Sequence, residues 1–149
     1  MVCIYCNSDT NIKNSRHKVR LNTVWRRRVC LSCSAIFTTN EEIDYSGTLS
    51  VKKKIGAIEP FYKEKIFISV YRSLDHKKSA QPLATAITNT IISKILSTRK
   101  PIKPLINSSG IALIVAKTLK SFDASSAIKY QSYQKNLGMA KDIRKTLNS

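Results

Sequence analysis

Cys3-x-x-Cys6 and Cys30-x-x-Cys33 hold all four cysteines of a 149-residue chain within its first 33 positions. Two residues between thiolates let one tight turn present both sulfurs to a single metal at about 2.3 Å, and two such turns complete a tetrahedron. The 23 residues from 7 to 29 that separate the pairs are too few and too polar to build a core of their own. A bound metal must therefore supply much of the folding free energy of this segment. Spacing alone does not separate zinc from iron held by four thiolates, nor either from unligated structural thiols. Charge argues against an iron electron carrier, because residues 1–40 hold Lys13, Arg16, Lys18, Arg20, Arg26, Arg27 and Arg28 against Asp9 alone. The expectation is one zinc ion per chain on Cys3, Cys6, Cys30 and Cys33.

The same imbalance runs through the whole chain, with 26 Lys+Arg against 9 Asp+Glu and a formal net charge of +17. Such a chain repels itself unless polyanions screen it, which puts nucleic acid, nucleotide phosphates or an anionic membrane first among its partners. Hydrophobic residues make up 42% of the sequence, enough for one or two small cores. No apolar run approaches the roughly 18 residues that span a bilayer, so no membrane partner is expected. The N-terminal M-V-C-I-Y-C lacks a basic region followed by an apolar one. A reducing cytoplasm follows as the expectation, where paired cysteines serve as metal ligands rather than disulfides. His17 and His76 stand alone in basic, polar surroundings and no carboxylate pair is placed for acid–base work, so no enzyme is expected.

Directly before the second cysteine pair stands W-R-R-R-V-C, Trp25 to Cys30. As a strand, this run sends Arg26 and Arg28 to one face and Trp25 and Arg27 to the other. Guanidinium forks suit phosphates and guanine edges better than ammonium groups do, which makes the run a candidate DNA contact surface. A solvated basic strand is the alternative. Trp25 would either stack on a base or cover the small core.

Beyond residue 46 the pattern changes. T-L-S-V-K-K and A-I-E-P-F are short strand-like runs flanking K-I-G, and Gly56 is free to adopt positive φ, so a hairpin is expected. It would carry Lys52, Lys53 and Lys54 at one edge, where clustered ammonium groups can hold a polyphosphate, with Lys65 opening the following helix. Four or five helices should follow. Apolar stripes of helical period run from Phe61 to Leu74, from Leu83 to Leu96 with Pro82 at its start, and from Ile111 to Phe122. R-K-P-I-K-P-L-I, Arg99 to Ile106, breaks the helical pattern. Asn107 or Ser108 can cap the third helix and Asp123 the next, running towards Leu137. After Gly138, the residues Met139, Ile143 and Leu147 suggest a last basic helix.

The order C-x-x-C, N-S-R (Asn14 to Arg16), R-R-R-x-C-x-x-C and F-T-T (Phe37 to Thr39) resembles the bacterial repressors of ribonucleotide reductase genes, the NrdR family. Those proteins follow a zinc ribbon with an ATP-cone, a small nucleotide-sensing domain. V-K-K-K-I-G-A-I-E-P-F, Val51 to Phe61, with Y-K-E-K-I after it, is similar to the opening of an ATP-cone. The resemblance covers Met1 to about Leu137. It implies an α+β protein: a zinc-ribbon DNA-binding domain over 1–46, an ATP-cone over 47–137 with its hairpin packed on the helices, and a basic helix or tail over 138–149.

The resemblance further implies DNA contacts from Arg16, Arg26, Arg27 and Arg28. It places adenine nucleotide, ATP or dATP, on Val51, Lys53, Lys54, Glu59 and Lys65, with the lysines at the phosphates. The chain departs from the family at two positions of its last cone helix, offering Ala127 and Gln134 where tyrosines are usual, with Tyr133 one residue away. Trp25 also stands where another arginine is common. The function implied is a nucleotide-sensing repressor whose homo-oligomeric state decides whether paired ribbons grip paired boxes on double-stranded DNA. A zinc-ribbon nucleic-acid-binding protein without nucleotide sensing is the rival, and saturable ATP binding discriminates the two.

Overall fold

The computed structural model describes residues 1–97 and 105–135. The chain divides between Asp44 and Tyr45 into two compact units. With β-strands in the first and four helices on a small sheet in the second, the fold is α+β, as the sequence led one to expect. Among the described residues no helix is long and apolar enough to cross a membrane.

The first unit is an antiparallel three-stranded sheet of β1 (Thr10–Lys18), β2 (Thr23–Cys30) and β3 (Ile36–Glu41), with β2 in the middle. A single 3-10 turn, Val19–Leu21, links β1 to β2 and ends on Asn22 at φ 48°, a left-handed conformation that Asn tolerates. A bulge between Ile12 and Asn14 shifts the β1 register, so Arg27 faces Asn14 and Arg28 faces Ile12. Among the described residues of this unit, Cys3 and Cys30 are the only buried ones. Two cysteines are not a hydrophobic core, so the sheet depends on whatever binds its sulfurs.

The second unit opens on a hairpin of β4 (Ser50–Lys52) and β5 (Ile58–Pro60), turned at Gly56 with φ +88°. Val51 sits opposite Glu59 in this pairing. Four helices follow: α1 (Lys63–Ser73), α2 (Ala80–Ser97), α3 (Ser108–Phe122) and α4 (Ala124–Lys135). Their buried positions recur at helical spacing, as in Ala80, Ala84, Ile87, Ile91 and Ile95 along α2. Phe61, Leu74, Ile91, Ile95, Ile106 and Leu119 fill the centre of the core.

Several boundaries differ from the apolar stripes. Phe61 is not helical; its N–H bonds the carbonyl of Leu49 at 3.0 Å and its ring is buried, which leaves α1 to begin at Lys63. Helix α2 begins at Ala80, which puts Pro82 inside the first turn, where a missing N–H costs nothing. A third strand, β6 (Leu105–Asn107), pairs in parallel with β4 and buries Ile106 beside Val51. The sequence offers only a helix break there. Asn107 occupies the cap position of α3 but makes no side-chain capping bond. Asp123 does cap α4, accepting the N–H of Ser126 at 2.9 Å. The expected helix from Met139 and the tail 138–149 lie outside the described residues.

Candidate metal centre, nucleic-acid face and nucleotide cleft

Both cysteine turns are built alike. Cys3 N–H bonds the carbonyl of Ser8 at 2.8 Å and Cys30 N–H that of Ala35 at 2.9 Å, so each turn closes over six residues. The residue after each second cysteine, Asn7 or Ser34, is left-handed at φ 61° or 59°. Two residues beyond each first cysteine a backbone N–H points at its sulfur, Tyr5 to Cys3 and Ser32 to Cys30, both at 3.4 Å. Such donors stabilise thiolate and orient it.

The two turns meet sulfur to sulfur, Cys3 to Cys33 at 3.6 Å and Cys6 to Cys30 at 3.4 Å, and all four sulfurs lie within 4.8 Å of one another. Tetrahedral zinc with bonds of about 2.3 Å places its sulfurs about 3.8 Å apart, so the arrangement fits the ion. A disulfide would need about 2.05 Å, and all four cysteines are free thiols. Hydrogen bonds from Ser8 draw the Cys6 thiol down to about 6. For Cys33 the N–H of Ala35 pulls the same way, but the neighbouring thiols of Cys30, Cys6 and Cys3 together with burial push it up to about 12. Four sulfurs this close cannot all ionise without a cation between them.

Arg16, Arg26, Arg27 and Arg28 divide between the two faces of the sheet. On one face Arg26 pairs with Glu41 at 3.0 Å, and Arg28 donates to the hydroxyls of Thr39 at 3.3 Å and Thr10 at 3.5 Å. These bonds run across the strands, and both arginines are half-buried. The opposite face carries Trp25 and Arg27 with their cross-strand neighbours Arg16, Asn14, Thr38 and Asn40. There Arg16 and Arg27 are exposed, and the Arg16 guanidinium lies 6.0 Å from the Trp25 ring centre. The face thus offers two guanidiniums, two amides and an indole.

In the second unit an open cleft of about 160 Å³ is lined by Val51, Lys53, Glu59 and Lys65, together with Phe61, Ser108, Tyr130 and Gln134. Lys54 follows Lys53 into the hairpin turn and is not among the lining residues. A 150 Å³ apolar cavity holds roughly one benzene ring, so a cleft of this volume has room for a small ring system. Glu59 Oε1 there accepts from Lys53 Nζ at 2.9 Å and Lys65 Nζ at 2.8 Å, and these ammoniums hold its carboxyl below the usual range, Lys65 contributing most. Lys65 Nζ also sits 5.3 Å from the Tyr62 ring centre. The first turns of α1 and α3, through Lys65 and Ser108, border the cleft with the positive ends of two helices.

Helix α4 supplies the cleft with Tyr130 and Gln134, and its position rests on a polar cluster no local pattern announces. Lys129 pairs with Asp75, Lys77 with Asp123 at 3.2 Å, and His76 lies 3.6 Å from Asp123 Oδ2 and 3.8 Å from Asp75 Oδ1. Tyr130 is almost fully buried, and burial raises its phenol. Ala127 is likewise packed in the core, while Gln134 remains half-buried at the cleft.

Residues 1–41 match the family model of the N-terminal domain of NrdR-like transcriptional repressors, a zinc ribbon. Zinc is therefore the ion that the four-cysteine site fits. A curated relative from Anaplasma phagocytophilum, named transcriptional repressor NrdR, is 35% identical over 145 residues, covering 96% of this chain and 92% of its own. Repressors of the same name from Prochlorococcus marinus (34% over 151 residues, 100% and 92% covered) and Bartonella henselae (33% over 144 residues, 96% and 88% covered) are similar along equally much of their length. The name describes a regulator rather than an enzyme. With the zinc site, the α+β fold and likeness over nearly its full length in agreement, the chain belongs to the NrdR family of transcriptional repressors.

Proposed function

We propose that this repressor senses ATP and dATP and that the nucleotide sets its homo-oligomeric state, which decides whether its zinc ribbons grip paired boxes on double-stranded DNA. The genes it silences in the cytoplasm are those of ribonucleotide reductase. The observation that carries the nucleotide half is the cleft, where Val51, Lys53, Glu59 and Lys65 converge from β4 and the residue after it, β5 and α1. Two lysines at a mouth flanked by helix N-termini suit a polyphosphate, and the apolar interior suits a base. Lys54 adds its charge from the hairpin turn.

DNA is met by the sheet of the first unit. Arg16 and Arg27 make the direct contacts from the face they share with Trp25, since both are exposed there. Arg26 and Arg28, cross-braced on the other face, add positive potential and approach phosphates at its edge. A nucleotide shifts the assembly only to the extent that it binds one oligomer more tightly than another. Two ribbons bound side by side then gain from effective concentration, so geometry alone switches DNA affinity.

Native mass spectrometry of the zinc-loaded protein with and without ATP or dATP tests this reading, alongside DNA binding under the same conditions. Nucleotide-dependent mass and DNA affinity are expected. One zinc per chain with DNA binding and no nucleotide uptake would leave a non-sensing nucleic-acid-binding ribbon protein instead.

A further inference from the structure

Tyr130 lies one turn before Gln134 on the same face of α4, and both line the cleft. Tyr130 is 3% exposed, so its ring belongs to the helical core. Its hydroxyl is the exception. Among the described residues the Thr88 hydroxyl is the one buried polar side-chain atom sealed from solvent without a partner. The Tyr130 hydroxyl has no hydrogen-bond partner among them either, and burial alone acts on its phenol. A partnerless hydroxyl that is not sealed has to reach open space, and the cleft is the open space that Tyr130 borders.

The hydroxyl is also held in place. The ring is packed in the core, and the helix behind it is fixed by the Asp123 cap on Ser126 and by the pairing of Lys129 with Asp75. A phenol raised by burial keeps its proton at neutral pH, so it presents an uncharged donor. Phosphate has better partners in the same cleft: the side chains of Lys53 and Lys65 are 39% and 55% exposed, and bonds from ammonium to phosphate are the stronger. The cleft wall around the phenol is apolar, with Phe61, Ile66, Ile111, Ala112 and Val115. Such walls suit a planar heterocycle, whose ring nitrogens are neutral acceptors.

We propose that the Tyr130 hydroxyl reads the base of the bound nucleotide, donating a hydrogen bond to a ring nitrogen of the purine. Base and phosphate chain are then recognised by different residues of one cleft, the base by α4 and the phosphates by the lysines. A ligand without the acceptor leaves a buried donor unmatched, which costs more than a matched bond gains. The contact rests on the nucleotide reading of the cleft and deepens it, since it makes the site select a base and not polyphosphate alone.

Calorimetric titration of the zinc-loaded full chain decides it, comparing wild type, Tyr130→Phe and Lys53→Gln. The ligands are ATP, sodium tripolyphosphate and the deaza analogues of ATP, in each of which one purine ring nitrogen is replaced by CH. Phenylalanine keeps the ring in the core and removes only the hydroxyl. Tyr130→Phe is expected to weaken ATP binding about two- to tenfold and to leave tripolyphosphate unchanged. The analogue that lacks the contacted nitrogen should bind wild type and Tyr130→Phe equally, because the bond is already absent. A packing role would move ATP and tripolyphosphate together. Wild-type or tighter ATP binding by Tyr130→Phe, equal losses for ATP and tripolyphosphate, or a loss that persists with every deaza analogue overturns the base contact. Impairment of ATP and tripolyphosphate alike by Lys53→Gln would in each of those cases leave the cleft assignment standing. ATP binding that ignores Lys53→Gln, or none by wild type, overturns the cleft reading and the contact with it.

Discussion

The Arg16 guanidinium rests 6.0 Å from the Trp25 ring centre, directly across strands β1 and β2. The interaction holds one cation of the exposed face at a fixed place, worth about 0.5–1 kcal/mol at such a site. Substituting Arg16 and Arg27 together with Ala should lower the slope of log affinity against log salt by roughly 0.9 for each DNA phosphate that is no longer neutralised. Arg26→Ala, which removes a residue braced by Glu41 that reaches phosphate only at the edge, should lower the slope by less than the double substitution does. Salt titrations by fluorescence anisotropy on one DNA duplex measure both. The reverse pattern would move the DNA to the other face.

Zinc removal should separate the two units. Among the described residues, the first has two buried cysteines and no apolar core, whereas the second packs four helices on three strands. Cys30→Ser, or a strong chelator, is therefore expected to unfold residues 1–44 while the helical signal of the second unit persists. Zinc content and far-ultraviolet circular dichroism read the two events independently. Simultaneous loss of the helices would mean that the units do not fold separately.

What the sequence disclosed and what it hid follow a physical line. The cysteine turns, the hairpin at Gly56 and the cap at Asp123 each depend on residues within a few positions, and local spacing carries that information. Strand alternation likewise foretold that Trp25 and Arg27 would share a face. It gave no means of choosing between faces, because the choice lies in Glu41, Thr39 and Thr10 on neighbouring strands. Strand β6 was illegible for the same reason: three residues beside a proline-rich stretch become a strand only because β4, over fifty positions earlier, offers an edge to pair with. The bridge from Glu59 to two lysines needed the hairpin and α1 in place together.

Gly56 adopts φ +88°, a region in which an L side chain is strained. A Cβ built there meets nothing within 4 Å, so the whole penalty of Gly56→Ala is conformational. We expect a loss of about 1–2 kcal/mol in the stability of the second unit, measured by urea unfolding. A neutral result would show that the hairpin turn relaxes to another form.

Asp123 ends α3 and starts α4, its N–H bonding Leu119 at 2.7 Å and its carboxylate capping Ser126. The Ser125 hydroxyl first, then the Ser126 hydroxyl and N–H, hold its carboxyl far below the ordinary range. A carboxyl lowered on folding lends stability that is complete above its unfolded value, about 3.9, and fades as pH falls through the folded one. Asp123→Ala should thus destabilise the second unit at pH 7. The gap between variant and wild type should narrow below about pH 4. Urea unfolding at pH 7, 5 and 3 shows whether it does; a gap independent of pH would remove the charged cap as its source.

The two positions where family members usually carry tyrosine are not equivalent here. Ala127 is 2% exposed in the helical core, so Ala127→Tyr should overpack it and cost about 1–3 kcal/mol. Gln134 lines the cleft and is half-buried, leaving room for a ring beside whatever base enters. An aromatic partner for a base adds about 0.5–1.5 kcal/mol, which is a gain of roughly two- to tenfold in affinity. Gln134→Tyr is therefore expected to tighten ATP binding by that factor while leaving tripolyphosphate unaffected, because the ring meets the base and the lysines meet the phosphates. Calorimetry with both ligands separates the contributions. Equal gains for the two would place α4 at the phosphates, and no gain for either would place the base away from α4.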